Sequence, residues 1–242
     1  MAEGLPTIIV GVILFRVLRD TPNDAEWLTE EERRAVIARV AREPREQERT
    51  KIGPALKDIR VLILSSVMLG FTIGSYAVSI WLPLIIKGSQ FSNLEVGLLS
   101  AIPYFFACVG SVVWAAIVDR SGKKINNLTL ACLVSAGGLV VSIVSHSFVI
   151  SITGMTIALI GITSARAIFW TIPTRFLTGI AAAGGLAYIN SLGTLGGFIG
   201  PSIMGWLKDR TGSFSTGLLA VSGFLILATM FSISLKLFVK NE

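Results

Sequence analysis

A single histidine, His146, and two cysteines, Cys108 and Cys132, are all the chain offers a transition metal in 242 residues. No second histidine or cysteine stands at ligand spacing from His146, so it reads as a polar loop residue rather than a metal ligand. Both cysteines fall inside apolar runs, where they read as small packing residues and not as a disulfide framework. No carboxylate lies well inside an apolar run, Glu95 and Asp119 standing at run ends, and no nucleophile clusters with an acid or base. A membrane-embedded enzyme is therefore excluded, and no cofactor is expected. Charge is scarce as well: Asp, Glu, Lys and Arg make up 15% of the chain against 52% hydrophobic residues. With a mean hydropathy of +0.73, an ordinary soluble domain is excluded. The first apolar run, from Leu5, follows an acidic Ala2-Glu3-Gly4 and lacks a small-residue cleavage site, so it does not read as a secretory signal.

Long apolar runs are what the chain does contain. A helix needs ~20 mostly apolar residues to span the hydrocarbon core. Six stretches qualify: Val61–Ile86, Leu94–Val118, Asn127–Val144, Phe148–Ile172, Gly179–Leu207 and Thr216–Val239. Leu5–Leu18 is too short and reads as the later part of a further membrane helix. The net charge of +6 raises the question of nucleic acid, but the placement of the bases answers it. Seventeen Lys and Arg fall on the side of the segment preceding Val61. Lys87, Lys208 and Arg210 fall on the other, and Arg166 lies within a span. Such asymmetry is a topology signal with both ends of the bundle cytoplasmic, and no nucleic-acid partner is expected.

Between the short run and the first full span, Thr21-Pro22-Asn23-Asp24 reads as a turn. Thr29 with Glu32 forms a capping box for a helix Glu30–Glu43, stopped by Pro44. Ala35, Val36, Ile37 and Val40 among its charges suit either a membrane surface or a partner, and a solvated linker helix is the alternative. In the first span Ser65, Thr72, Tyr76 and Ser79 recur on one helical stripe, facing either a cavity or neighbouring helices through hydrogen bonds. Trp81 and Pro83 mark its outer end, and Ser92 with Glu95 offers a second capping box before the next span. Asp119, Arg120, Gly122, Lys123 and Lys124 form a polar hinge between two apolar spans.

Arg166 is the ionisable group set well inside a full span, on broadly the same side as Thr156 and Thr163. Either it faces a substrate path, or it snorkels toward the interface. The fifth span is rich in small residues. Gly193 with Gly197 and Gly196 with Gly200 repeat at four-residue spacing, which lets helix backbones approach closely. Gly200-Pro201 predicts a kink or hinge, and Asn190 and Thr194 share a face. That combination suits a moving, cavity-lining helix, with a tightly packed structural helix as the alternative.

Taken together these stretches resemble the major facilitator superfamily, and within it the anion:cation symporter family of organic-anion transporters. Leu5-Pro6 followed by DTPNDAEWLTEEE resembles the end of that family's sixth helix and the start of its central cytoplasmic loop. Tyr76 with Trp81–Ile86, and Ala101–Tyr104, resemble helices seven and eight. Asp119-Arg120 and Gly122-Lys123-Lys124 resemble the superfamily's loop signature in its second copy, with Ala115 where that signature opens on Gly. Phe169-Trp170, Pro173 and Ile189–Pro201 resemble helices ten and eleven, with Thr194 in place of a usual Asn.

The resemblance implies an all-α membrane protein, a six-span bundle of the major facilitator type plus a remnant of a preceding span. Residues 1–19 are then the remnant of the sixth helix, 20–60 the central loop with its amphipathic helix, and 61–242 the C-terminal bundle. It further implies a secondary transporter, not an enzyme, in which a small organic anion moves with protons by alternating access. Tyr76, Arg166, Asn190 and Thr194 would line the cavity. Asp119, Arg120, Gly122, Lys123 and Lys124 would form a gating loop, and Gly193, Gly196, Gly197, Gly200 and Pro201 the packing and hinge of helix eleven. The partners expected are the anion, protons, the lipid bilayer and an N-terminal half. A fragment that does not transport and only associates with that half is the other reading.

Overall fold

The computed structural model describes residues 4–18, 21–25, 27–42, 57–88, 90–145, 147–177 and 179–239. His146 lies outside them. The chain divides into two units, Met1–Glu48 and Arg49–Glu242.

The first unit holds α1 (Gly4–Val17), a 3-10 turn at Pro22–Asp24, and α2 (Glu30–Arg42). Helix α1, with 14 residues, is too short to cross a bilayer. The capping box that starts α2 forms as its spacing predicts. The Thr29 backbone N–H donates to Glu32 Oε2 at 3.0 Å, and the Glu32 N–H donates to Thr29 Oγ1 at 3.3 Å, so each satisfies a donor the helix leaves free. The Thr29 N–H, with the Thr29 hydroxyl that also donates to Glu32 Oε2 at 2.8 Å, holds the Glu32 carboxyl below its ordinary range.

The second unit consists of α3 (Ile59–Lys87), α4 (Asn93–Ser121), α5 (Lys124–Val144), α6 (Phe148–Phe169), α7 (Gly179–Thr194), α8 (Gly196–Thr211) and α9 (Phe214–Leu235). Five of these segments, α3 to α6 and α9, are long and apolar enough to cross a membrane. All five end within a few residues of the predicted spans. Helix α3 continues through Pro83 to Lys87 rather than closing at Trp81 and Pro83.

The fifth predicted span, Gly179–Leu207, is corrected: it is two 16-residue helices, α7 and α8, separated by Leu195. Leu195 keeps helical dihedrals, φ −55° and ψ −26°, so the chain does not reverse there. The predicted hinge at Gly200-Pro201 lies instead inside α8. Thr194 stands next to the break. Its hydroxyl donates to the Asn190 carbonyl at 2.8 Å and to the Ser191 carbonyl at 3.2 Å. Such back-bonding competes with the helix ladder. Leu195 N–H then bonds Leu192 O at 3.3 Å, the tighter pattern of a 3-10 turn.

Close packing in the bundle rests on small residues, since lipid offers no hydrophobic reward for helix association. On α5 and α6, a Cβ on Gly138 would stand 2.6 Å from Gly154 O and Ala158 N. One on Gly154 would stand 2.6 Å from Gly138 O and Ser142 N. Hydroxyls tie α5 to both α6 and α9: Ser142 and Ser151 are 2.9 Å apart, and Thr129 meets Ser232 on α9 at 2.8 Å. Cys132 is buried in this packing, whereas Cys108 is exposed on α4 and packs no interior, contrary to its predicted role; both are free thiols.

Candidate functional site

Helix α3 is the centre of the bundle, with 72% of its most apolar window buried against α6, α7, α8 and α9. Each neighbour reaches it through glycine. Gly70 lies against Ala228 and the Phe224 carbonyl of α9, and Gly74 takes Ile162 of α6 and Leu225 of α9. On the other flank, Gly193 faces Met68, and Gly196 meets the backbone of Leu69 and Ile73. Gly200 meets the Ile73 carbonyl, and Gly205 meets Trp81. Contacts that advance in the same direction along both partners make α3 parallel to α7 and α8, as helices crossing a bilayer in the same direction must be.

One strip of α3 stays uncovered between α6 and α7–α8. Tyr76 is 46% exposed there and Ser79 is exposed, while Ser65 and Thr72, lower on the predicted stripe, are buried. Thr72 is closed off by Gly196, and Ser65 turns its hydroxyl back to Val61 O at 2.8 Å. The Tyr76 ring lies against Gly197, 3.3–3.4 Å from where a Cβ would stand. Asn190 and Thr194 are exposed on the adjoining end of α7. The opposite flank of the strip is Arg166, also exposed, whose Nη2 donates to Ser75 Oγ at 3.0 Å.

That bond decides where the guanidinium points. Ile162 rests on Gly74, and the Phe169 and Phe71 rings meet edge-on at 5.4 Å, so Arg166 leaves α6 between these two levels of α3. A snorkelling side chain would follow Phe169 toward the helix end. Instead it reaches Ser75, on the Ile162 side. Ser75 is twelve residues from Lys87 and sixteen from Ile59, far from either end of α3. The charge is directed toward the middle of the helix. Ser75 was missed in the sequence because it lies off the stripe of Ser65, Thr72, Tyr76 and Ser79, and its partner is 91 residues away.

At one end of the bundle, α4 closes on Gly122, whose φ of 69° is the left-handed conformation of a glycine cap. Its N–H donates to Val118 O at 2.9 Å. Asp119, Arg120 and Lys123 are exposed and Lys124 is half-buried, and among the described residues none of the four enters an ion pair. The turn is held by Asn127. Its side chain accepts from Trp114 Nε1 (3.2 Å) and donates to Ser121 Oγ (3.2 Å) and Lys123 O (2.8 Å), a role no local signal had marked. At the same end Asp58 caps α3 and pairs with Arg60 at 2.6 Å, which holds the Asp58 carboxyl below its usual range. The Arg60 guanidinium sits 4.3 Å from the Phe176 ring, a cation–π contact that ties α3 to the α6–α7 connection. At the far end Lys208 stands 4.8 Å from the Phe214 ring and 5.6 Å from Trp81. Among the described residues no group of three or more His, Cys, Asp or Glu could hold a metal ion.

Two proteins of Agrobacterium vitis, each described as "Putative tartrate transporter", are similar to this chain. One is 40% identical over 237 residues, covering 97% of the chain and 53% of that protein; the other is 39% identical over 238 residues, covering 98% and 55%. A "Quinolone resistance transporter" of Acinetobacter baumannii is 35% identical over 228 residues, covering 92% of the chain and 52% of that protein. The chain thus spans about half the length of the curated relatives it matches. The profile of the Major Facilitator Superfamily matches residues 1–201. With membrane-length helices, glycine-mediated packing and this match over most of its length, the chain is an integral membrane protein that belongs to the major facilitator superfamily.

Proposed function

We propose that this chain is the C-terminal half of a secondary transporter of the anion:cation symporter type, carrying a small organic carboxylate with protons by alternating access. The observation that supports it most is the uncovered strip of α3. In a bundle otherwise closed by apolar and small residues, Arg166, Ser75, Tyr76, Asn190 and Thr194 gather around one open face, with a cation at helix mid-depth. Ionisable groups at such depth are costly and mark substrate paths. The similarity to relatives described as tartrate transporters supports a carboxylate as the cargo. Residues 1–19 are read as the end of the sixth helix, 20–60 as the central loop, and 61–242 as the bundle, with both its ends cytoplasmic in the inner membrane. Among the described residues no carboxylate lies at mid-depth, and the proton-binding group is assigned to the N-terminal half.

Arg166 is assigned to the substrate carboxylate. A guanidinium binds a carboxylate through two parallel hydrogen bonds, and a Lys ammonium cannot reproduce that geometry. In the transporter completed by its N-terminal half, Arg166→Lys is expected to raise the KM for labelled tartrate by at least about tenfold at matched membrane abundance. Near-normal uptake would move Arg166 to an anchoring role.

Asp119 is assigned to the gate. Exposed, and in no ion pair among the described residues, its carboxylate is placed to meet a helix N-terminus or basic groups of the other half, where an anion is favoured. Asp119→Asn is expected to leave membrane abundance unchanged and to shift the accessibility of introduced cysteines between the two faces. Identical accessibility and identical transport kinetics would remove Asp119 from the gate.

A further inference from the structure

We infer that Ser75 is a positioning residue for the carboxylate site, acting by fixing the Arg166 guanidinium across the α3–α6 boundary; the inference rests on the functional reading above. Three observations carry it. First, the contact joins two helices and is direct: Arg166 Nη2 donates to Ser75 Oγ at 3.0 Å. Second, it holds the side chain away from the end of α6 where a free arginine would extend, as the Ile162–Gly74 and Phe169–Phe71 contacts on either side show. Third, the group is exposed on the open strip, and the bond uses one of five guanidinium N–H donors and leaves the rest. The Ser75 hydroxyl hydrogen has no acceptor among the described residues, so the oxygen accepts from arginine while its own hydrogen stays available on the same face. A hydroxyl that accepts from a cation is polarised and becomes a better donor.

A long side chain with four rotatable bonds forfeits binding free energy when it must be ordered by the ligand itself. Ser75 removes much of that cost before the anion arrives. The consequence is a KM effect without a turnover effect. In the complete transporter, with labelled tartrate as the probe, Ser75→Ala is expected to raise KM about tenfold with Vmax unchanged at matched abundance. Ser75→Thr keeps the hydroxyl and is expected to restore KM to near the parent value. Because Ser75 acts through Arg166, Ser75→Ala is expected to add little to an Arg166→Gln variant, a non-additivity that a separate packing role does not produce.

A parent KM for Ser75→Ala overturns the inference. So does a loss of Vmax and abundance that Thr fails to rescue, or a full additive effect on the Arg166→Gln background. If Arg166→Gln itself keeps the parent KM, the carboxylate role of Arg166 fails. If the parent takes up neither tartrate nor any other organic acid of a test panel, the functional reading fails and the positioning role with it.

Discussion

Reconstituted by itself, the 242-residue chain is expected to take up no labelled tartrate above empty vesicles. Alternating access needs two walls around the substrate, and in pseudo-symmetric transporters the second wall is the other half of the repeat. Here the strip with Ser75, Tyr76, Ser79, Asn190 and Arg166 has no opposing helices among the described residues of its unit. Much of α4 is likewise uncovered, only 17% of its most apolar window being buried. In isolation those groups face lipid, where a guanidinium is costly, or a second copy. Adding the N-terminal half as a separate polypeptide is expected to restore uptake. Saturable, proton-dependent uptake by the purified chain alone contradicts the assignment of half a transporter. Failure to recover uptake with the N-terminal half favours a fragment that associates without transporting.

The second large effect is expected at Gly196 and Gly200. A Cβ at Gly196 would stand 2.8 Å from Ile73 N and from Leu69 O, and one at Gly200 would stand 2.5 Å from Ile73 O. These are backbone atoms of the most buried helix, so no rotamer change relieves the overlap and α8 must move bodily off α3. Gly200→Ala is expected to cost about 2 kcal/mol or more, read as a lower Tm in detergent and lower membrane abundance. Gly193 faces the Met68 side chain from its Cβ outward, which rotation cannot clear, so Gly193→Ala is expected to lose stability as well. Gly223→Ala, with nothing within 4 Å of the added carbon, is expected to be neutral or stabilising. Equal stability across the three variants contradicts backbone contact as the basis of the α3–α8 interface.

The properties set by local chemistry were legible in the sequence. Apolar runs located the spans because bilayer thickness fixes helix length. The Thr29–Glu32 and Ser92–Glu95 boxes located helix starts because their bonds are made within one turn. What depends on long-range packing was not legible. The broken helix was misplaced because proline is the visible signal, whereas Pro201 fits within the second turn of α8 and the break falls at Leu195, which carries no such signal. Ser65, Thr72, Tyr76 and Ser79 share one stripe, and packing against α8 buries Thr72 beneath Gly196 while Tyr76, beside Gly197, keeps 46% of its surface exposed. Ser75, Asn127 and the Gly138–Gly154 contact each depend on a partner on another helix, which periodicity cannot identify.

The central claim, that the open strip of α3 and its flanks form the wall of a carboxylate site, is tested most directly by substrate protection. In the complete transporter with Cys108→Ser and Cys132→Ala, single cysteines replace Tyr76, Asn190 and Thr194 in turn, with exposed Ser147, just before α6, as control. The labelling rate with a hydrophilic thiol reagent is measured with and without tartrate. The expected result is that saturating tartrate slows labelling at all three strip positions and leaves Ser147 unchanged. Labelling of Tyr76, Asn190 and Thr194 at rates indifferent to tartrate, in variants that still take it up, would contradict the claim.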